Sequence, residues 1–133
     1  MESWKTSIKA LTVDVFGTGT DWYSTIVREG ECLGCDKPIT VDCILSAERA
    51  RYYKPDREVY ETAAHLLDLE PPSILMVAAH RHDLEGARAV GFRTTFIPRP
   101  LEWGSGGQTD TAQDGDFDII AQDFHDLAAQ LRS

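Results

Sequence analysis

Two aspartates and a lysine stand where the sequence could support chemistry. Asp14 lies near the C-terminal end of an apolar, β-branched run over 8–16, which breaks into a turn of glycines and threonines at 17–20. A carboxylate beside such a turn is open to a substrate, and the backbone N–H groups of the turn can stabilise charge that develops during nucleophilic attack. Lys54 can neutralise this carboxylate, and Asp83 can hold the lysine or polarise a water.

Each of these residues also has an ordinary structural explanation when it is taken alone. Asp14 could mark a strand-to-turn junction, Lys54 could be a surface lysine, and Asp83 could cap a helix. The combination favours a functional site, because Asp14, Thr18, Lys54 and Asp83 are expected at the same edge of one sheet.

The elements that must position these residues follow from hydrophobic patterning and from turn residues. Strands are predicted over 8–16, 73–79, 92–97 and 117–121, with a short strand over 41–46, and helices over 21–33, 56–69, 84–90 and 123–131. A turn is predicted over 80–83 and a long surface loop over 98–116. For the second of the helices, the predicted buried stripe consists of Val59, Ala63, Leu66 and Leu67.

Strands that alternate with helices predict an α/β fold, a Rossmann-like and mostly parallel sheet flanked by helices. In such a sheet, ligands bind outside the carboxyl ends of the strands. Asp14 and Asp83 are both predicted to lie there, on different strands.

Length and composition limit the function classes. A chain of 133 residues predicts one domain spanning 1–133, and the apolar (42%) and charged (26%) shares are those of a globular protein. A net charge of −9 disfavours nucleic acid and anionic membranes as partners. Without an apolar run of membrane-spanning length or a signal-peptide pattern at the N-terminus, the expected location is the cytoplasm. Three clustered cysteines, Cys32, Cys35 and Cys43, are interpreted as reduced thiols.

Three ordered motifs resemble the haloacid dehalogenase (HAD) superfamily, and within it the type II L-2-haloacid dehalogenases. The first motif, L-T-V-D-V-F-G-T, spans 11–18; the second match spans 43–60 and contains Y-K-P-D; the third spans 76–94 and contains H-x-H-D-L. The resemblance covers nearly all of the chain except about 31–42.

The resemblance implies a hydrolase in which Asp14 attacks the halogen-bearing carbon of a small 2-haloacid, giving an ester that water then cleaves. Thr18 and the neighbouring turn would position the nucleophile, Lys54 would pair with it, and Asp83 would support the lysine and the hydrolytic water. The catalytic residues expected are therefore Asp14, Thr18, Lys54 and Asp83, and the substrate-binding residues are Phe16, Gly17, Tyr60 and His80.

Phe16 decides between two branches of the superfamily. Phosphatases of the superfamily carry a second aspartate at this place as general acid, whereas dehalogenases need none because halide leaves unprotonated. The resemblance therefore implies no cofactor and no metal, with Mg²⁺ only if the chain is a phosphatase. His80 and His82 are interpreted as loop histidines, since residues two apart at a turn rarely converge on one ion.

The chain departs from the family where the enclosing part of the site is expected. Only 35 residues separate Thr18 from Lys54, so the helical cap is predicted to be absent around 31–42, together with the strand of the second motif. In the third match, Ala78 and His80 stand where many relatives have Ser and Asn. An uncapped nucleophile is hydrated and a missing strand exposes apolar surface, so a homodimer or larger assembly is expected. Trp22, Tyr23 or Trp103 is expected near the interface or the mouth of the site.

Three hypotheses remain open. The first is a 2-haloacid dehalogenase that uses Asp14 covalently, and the second is a magnesium-dependent phosphatase with Asp14 and Asp83 as ligands. The third is a truncated relative that has lost catalysis and serves in binding or structure. The acidic stretch over 110–118 is interpreted as solvated loop.

Overall fold

The computed structural model describes residues 3–14, 45, 47–100 and 104–133. The predicted helix over 21–33, most of the short strand over 41–46, the three cysteines and Trp103 lie outside these residues. The predicted absence of a cap also falls on residues that are not described. Residues 1–14 and 47–133 group into one compact unit, whereas the single domain over 1–133 stays a prediction.

Four short strands form the sheet, and four helices accompany them. The strands are β1 (Ala10–Val13), β2 (Ile74–Ala78), β3 (Arg93–Phe96) and β4 (Ile119–Ile120). The helices are α1 (Ala47–Ala50), α2 (Arg57–Leu67), α3 (Arg81–Ala89) and α4 (Phe124–Arg132), with short 3₁₀ helices at Ser3–Ser7 and Pro71–Ser73. The predicted strands over 8–16, 73–79, 92–97 and 117–121 and the helices over 56–69, 84–90 and 123–131 are thus confirmed with shifted ends.

All strand pairs in the described sheet are parallel, in the order β1-β2-β3-β4. Every residue of β2 is buried, which explains its continuous apolar run, because a parallel strand covered on both faces needs no polar alternation. The α/β fold with a parallel sheet and flanking helices is confirmed.

Two apolar clusters cover the two faces of the sheet. On one face, Ile74, Met76 and Ala78 pack with Tyr60 and Ala64 of α2 and with Leu84 and Ala87 of α3. On the other face, Leu75 and Val77 pack with Leu127 of α4. Alternate residues of β2 therefore serve opposite cores, as the period of two in a strand requires.

The predicted stripe of α2 is right only in part, since Leu67 packs against the core and Val59 and Ala63 are half-buried. The fully buried residues of this helix are Tyr60 and Ala64, and Leu66 is 42% exposed. Tyr60 packs edge-on against Phe92 at 6.0 Å between ring centroids. The helix is therefore oriented by its tyrosine, because an aromatic ring buries more apolar area than Leu66 would.

Two features near the carboxyl ends of the strands also differ from expectation. The segment predicted as a turn over 80–83 already belongs to α3 from Arg81 onward, with His80 at the N-cap position. Asp83 therefore lies in the first helical turn and does not cap the helix. The acidic stretch was interpreted as solvated loop, but three of its aspartates bind arginines of the fold. Asp110 accepts from the Arg81 N–H, Asp116 pairs with Arg81, and Asp118 pairs with Arg93.

No helix within the described residues is long and apolar enough to cross a membrane.

Candidate active site

The carboxyl ends of β1 and β2 bring the first two site residues together. Asp14 directly follows β1 and continues its ladder, since its N–H donates to the carbonyl of Val77 at 2.9 Å. His80 follows β2 after one residue and stands at the N-cap of α3. Both side chains thus project from the edge of the sheet where ligands bind in parallel α/β folds.

Lys54 joins the two aspartates. Its Nζ donates to Oδ1 of Asp14 at 2.8 Å and to Oδ2 of Asp83 at 2.8 Å. The lysine precedes α2, whose N-cap position is Asp56 as predicted, although the Asp56 side chain makes no capping hydrogen bond. The peptide bond between Lys54 and Pro55 is cis.

Burial and charge act in opposite directions on the Lys54 ammonium. Burial lowers the pKa of Lys54, but the nearby Asp83 and Asp14 carboxylates more than offset this effect, so the pKa lies above the ordinary 10.5. Lys54 is therefore a permanent cation at neutral pH. It balances one of the two negative charges that Asp14 and Asp83 bring to this edge of the sheet.

Asp83 is held on both sides. Its Oδ2 accepts from Lys54, its Oδ1 accepts from the Tyr60 hydroxyl at 2.5 Å, and its side chain is only 2% exposed. A buried carboxylate requires such donors, because a buried charge without partners is strongly destabilising. Its place in the first turn of α3 adds the favourable field of the helix N-terminus.

Tyr60 stays protonated in this arrangement. Burial, followed by the hydrogen bond to Asp83, raises the pKa of the Tyr60 hydroxyl well above its ordinary 10.0. A protonated phenol donates to the carboxylate and cannot accept a proton from a reactant at neutral pH.

Asp14 is the more accessible of the two carboxylates. Its side chain is 19% exposed, compared with 2% for Asp83. Its Oδ1 accepts from Lys54, and its Oδ2 lies 3.7 Å from Nδ1 of His80. A held, partly exposed carboxylate beside a cation has the properties of a nucleophile.

The structure thus brings together Asp14, Lys54, Tyr60, His80 and Asp83, five of the eight residues predicted for the site. The other three, Phe16, Gly17 and Thr18, lie outside the described residues.

The rings of His80 and His82 stack with 5.6 Å between centroids. Within the described ranges, no group of three or more His, Cys, Asp or Glu side chains is placed to hold a metal ion.

Gly86 of α3 is a site neighbour that sequence reasoning missed. A Cβ at this position would lie 2.8 Å from Cε2 and 2.9 Å from the hydroxyl oxygen of Tyr60, and 3.0 Å from Cβ of Pro55. The missing side chain therefore makes the room in which Tyr60 reaches Asp83. The signal was a glycine inside a helical pattern, which costs about 1 kcal/mol relative to alanine and needs a packing reason.

The loop before β4 braces the start of α3. Asp110 accepts from the backbone N–H of Arg81 at 2.8 Å, and the Arg81 guanidinium donates to Asp116 at 2.8 Å and to the carbonyl of Thr111 at 3.1 Å. The guanidinium groups of Arg81 and Arg88 both lie 5.1 Å from the centroid of the Phe117 ring. These contacts fix the helix that carries Asp83.

Comparisons with known proteins agree with this architecture. The HAD-hydrolase-like family model matches residues 52–127. An (S)-2-haloacid dehalogenase of Pseudomonas sp. (strain YL) is 43% identical over 58 residues, which are 44% of this chain and 25% of that protein.

Two crystal structures of L-2-haloacid dehalogenases are similar as well. One is 48% identical, with 69% of this chain and 40% of that chain covered and a TM-score of 0.66. The other, a defluorinating enzyme, is 40% identical, with 84% of this chain and 44% of that chain covered and a TM-score of 0.66. The chain thus spans less than half of the solved relatives and about a quarter of the curated one. Because the family model covers more than half of the sequence, the chain belongs to the HAD-hydrolase-like family and resembles the L-2-haloacid dehalogenases within it.

Proposed function

We propose that this protein hydrolyses the carbon–halogen bond of small 2-haloacids with Asp14 as the covalent nucleophile. The observation that carries the proposal is the pairing of Asp14 with Lys54, which Asp83 and Tyr60 hold in place. Oδ2 of Asp14 would attack the halogen-bearing carbon, form a C–O bond and expel halide with the electron pair of the broken bond. Halide needs no proton, and the reaction as proposed uses no metal or other cofactor.

The remaining roles follow from charge and position. Lys54 holds Oδ1 of Asp14, which fixes the carboxylate and leaves Oδ2 for the attack. Asp83 fixes Lys54, and Tyr60 fixes Asp83. For Phe16, Gly17 and Thr18, the proposal keeps the sequence assignment: Phe16 and Gly17 contact the substrate, and Thr18 positions the nucleophile.

The expected location of the protein is the cytoplasm.

Halide release from 2-chloropropionate tests the proposal. The native chain should release halide continuously, and Asp14→Asn should release none, because an amide is a poor nucleophile. Asp56→Asn is a matched control, since Asp56 is an exposed aspartate whose side chain caps nothing. No halide from the native chain would contradict the proposed activity. Release of phosphate from an aryl phosphate only when magnesium is added would favour the phosphatase hypothesis instead.

We also propose that the working form is a homodimer or larger assembly. Leu11 and Val13 of β1 are 50% and 38% exposed, an unusual exposure for two apolar residues of one sheet. A second copy that covers this face would bury both. Light scattering should give at least twice the mass of 14.8 kDa, and Leu11→Lys should lower that mass; a monomeric native chain would contradict this part of the proposal.

A further inference from the structure

Helix α3 begins without a capping side chain of its own. The first backbone N–H groups of a helix have no partner inside the helix, and the side chain at the N-cap position usually accepts from one of them. In α3 that position is His80, whose side chain makes no capping hydrogen bond. The first turn of this helix therefore depends on an acceptor from elsewhere in the fold.

Asp110 supplies this acceptor from the loop between β3 and β4. Its Oδ2 accepts from the backbone N–H of Arg81, the first residue of α3, at 2.8 Å. Asp110 is half-buried and lies 29 residues further along the chain than Arg81. A carboxylate at a helix N-terminus is favoured both by the charge-assisted hydrogen bond and by the helix dipole. The contact thus ties the start of α3 to a loop that is distant in sequence.

The start of α3 matters for the site because Asp83 lies in the same helical turn as Arg81. The two oxygens of Asp83 accept from Lys54 at 2.8 Å and from Tyr60 at 2.5 Å. Lys54 in turn holds Oδ1 of Asp14 at 2.8 Å. A shift of the first turn therefore moves Asp83, and Lys54 moves with it relative to Asp14.

The loop around Asp110 is itself held in place. The Arg81 guanidinium donates to the carbonyl of Thr111 at 3.1 Å and to the Asp116 carboxylate at 2.8 Å. Asp116 also accepts from the N–H of Gln113 at 2.9 Å. Of these contacts between the loop and α3, only that of Asp110 reaches the backbone of the helix. Asp110 therefore acts directly on the placement of the first turn.

We infer that Asp110 is a positioning residue of the proposed reaction. Its carboxylate caps α3 and thereby holds Asp83, and through Asp83 it holds Lys54 where Lys54 fixes Asp14 for the attack. The inference rests on the proposed function, because it concerns the rate at which Asp14 forms the ester. The acidic stretch that was interpreted as solvated loop thus contains a residue on which the site depends.

The expected consequence is a defect in the rate of attack with little change in substrate affinity. A displacement of about 1 Å at a reacting group lowers the rate by about 100-fold, so loss of the cap should slow the attack by about 10-fold to 100-fold. Asn is as good an N-cap residue as Asp, so Asp110→Asn should keep most of the rate. A side chain that bound the substrate would instead change the concentration at which the attack is half-maximal.

The test compares Asp110→Ala with Asp110→Asn and with Asp123→Ala as the matched control. Asp123 is also a capping aspartate, since its side chain accepts from the Asp126 N–H at 2.8 Å, but it caps α4, which packs on the other face of the sheet. Loss of either cap should lower the melting temperature by about 2–8 °C. Halide release from 2-chloropropionate in a single turnover is then measured over a range of concentrations of excess protein, at a temperature where all variants are folded.

Of these variants, only Asp110→Ala should lose rate. Its maximal single-turnover rate should be about 10-fold to 100-fold below that of the native chain, with the half-saturating concentration nearly unchanged. Asp123→Ala should react like the native chain. Equal rates in Asp110→Ala and Asp123→Ala would overturn the inference and leave the proposed function intact. An Asp110→Asn chain as slow as Asp110→Ala would overturn it as well, since the capping hydrogen bond would then not set the rate.

Failure of the proposed function gives a different result. A native chain that releases no halide contradicts the proposed function, and the positioning role in that reaction falls with it. If Asp110→Ala does not fold, Asp110→Glu replaces it, because glutamate keeps the charge and moves the carboxylate outward by one methylene group. A slower single turnover is again expected, and a native rate in Asp110→Glu would overturn the inference.

Discussion

The hydroxyl of Tyr60 donates a 2.5 Å hydrogen bond to Oδ1 of Asp83, across the interface between α2 and α3. This contact links the helix that follows Lys54 to the helix that carries Asp83. Through Asp83 it also fixes Lys54, and through Lys54 it fixes Asp14. One phenol thus supports the whole chain of contacts that ends at the nucleophile.

Removal of that hydroxyl should weaken the fold. In Tyr60→Phe, the buried Oδ1 of Asp83 loses its donor, and an unsatisfied buried acceptor costs about 1–3 kcal/mol of unfolding free energy. Denaturant unfolding measures the difference. Tyr53→Phe is the control, because Tyr53 is exposed, and equal stabilities of the two variants would contradict the importance of the contact.

The same contact should give an alkaline limit to stability. The pKa of Tyr60 is raised in the fold above its ordinary 10.0, chiefly by burial, so its contribution is fully present below pH 10.0 and is lost as the pH rises through the folded pKa. The gap in unfolding free energy between the native chain and Tyr60→Phe should therefore narrow above pH 10.0. A gap that widens with rising pH would contradict this linkage.

Replacement of Lys54 should abolish most of the activity. In Lys54→Gln, the cation between Asp14 and Asp83 is gone, and loss of one charged group that acts on the reacting centre typically lowers the rate by about 100-fold to 1,000-fold. Halide release in the first turnover measures the effect on the attack itself. Lys9→Gln, at an exposed lysine beside β1, serves as the control, and similar rates in the two variants would count against the role of Lys54.

Gly86→Ala should destabilise the protein, although alanine has a higher helix propensity than glycine. An alanine in an open helical position stabilises by about 1 kcal/mol relative to glycine, but here the added Cβ would meet the Tyr60 ring at 2.8 Å. The ring must move, and its hydrogen bond to Asp83 with it. The free energy of unfolding and the rate of halide release should both be lower in this variant than in the native chain. A variant that is more stable and fully active would show that the space around Tyr60 is not tight.

The Arg81–Asp116 ion pair should provide stability that depends on pH. The N–H of Gln113 and then the Arg81 guanidinium hold the pKa of Asp116 below its ordinary 3.8, so the contribution is present above pH 3.8 and is lost as the pH falls through the folded pKa. Asp116→Asn should be less stable than the native chain near neutral pH, and the two should converge in acid. Asp114→Asn, at an exposed residue of the same loop, is the control and should be as stable as the native chain near neutral pH.

Local patterns were sufficient for the elements that rest on local chemistry. The buried strand β2 was visible as a continuous apolar run, and the starts of α2 and α4 were visible in Asp56 and Asp123, of which Asp123 does accept the capping hydrogen bond from the Asp126 N–H. The convergence of Asp14, Lys54 and Asp83 followed from the parallel sheet. Their order along the chain and the rule for strand ends located them without any coordinates.

Tertiary contacts decided the features that the patterns missed. Apolar spacing favoured Leu66 on the buried side of α2, but the Tyr60 contacts with Phe92 and Asp83 rotate the helix so that Leu66 faces outward. The acidic residues near Asp116 were interpreted as solvated, because sequence does not show that Arg81 lies opposite them. Gly86 was missed for the same reason, since its neighbour Tyr60 is distant in sequence.

The most direct test of the covalent role of Asp14 is an isotope measurement. Single-turnover hydrolysis of 2-chloropropionate is run in water enriched in the heavy oxygen isotope, with excess protein, and the peptide that contains Asp14 is then weighed. Attack of water on Cγ of an Asp14 ester places the heavy oxygen in the Asp14 carboxylate, and the hydroxy acid of the first turnover stays unlabelled. Heavy oxygen in the hydroxy acid and none in the Asp14 peptide would show that water attacks the substrate directly, which would contradict a covalent nucleophile.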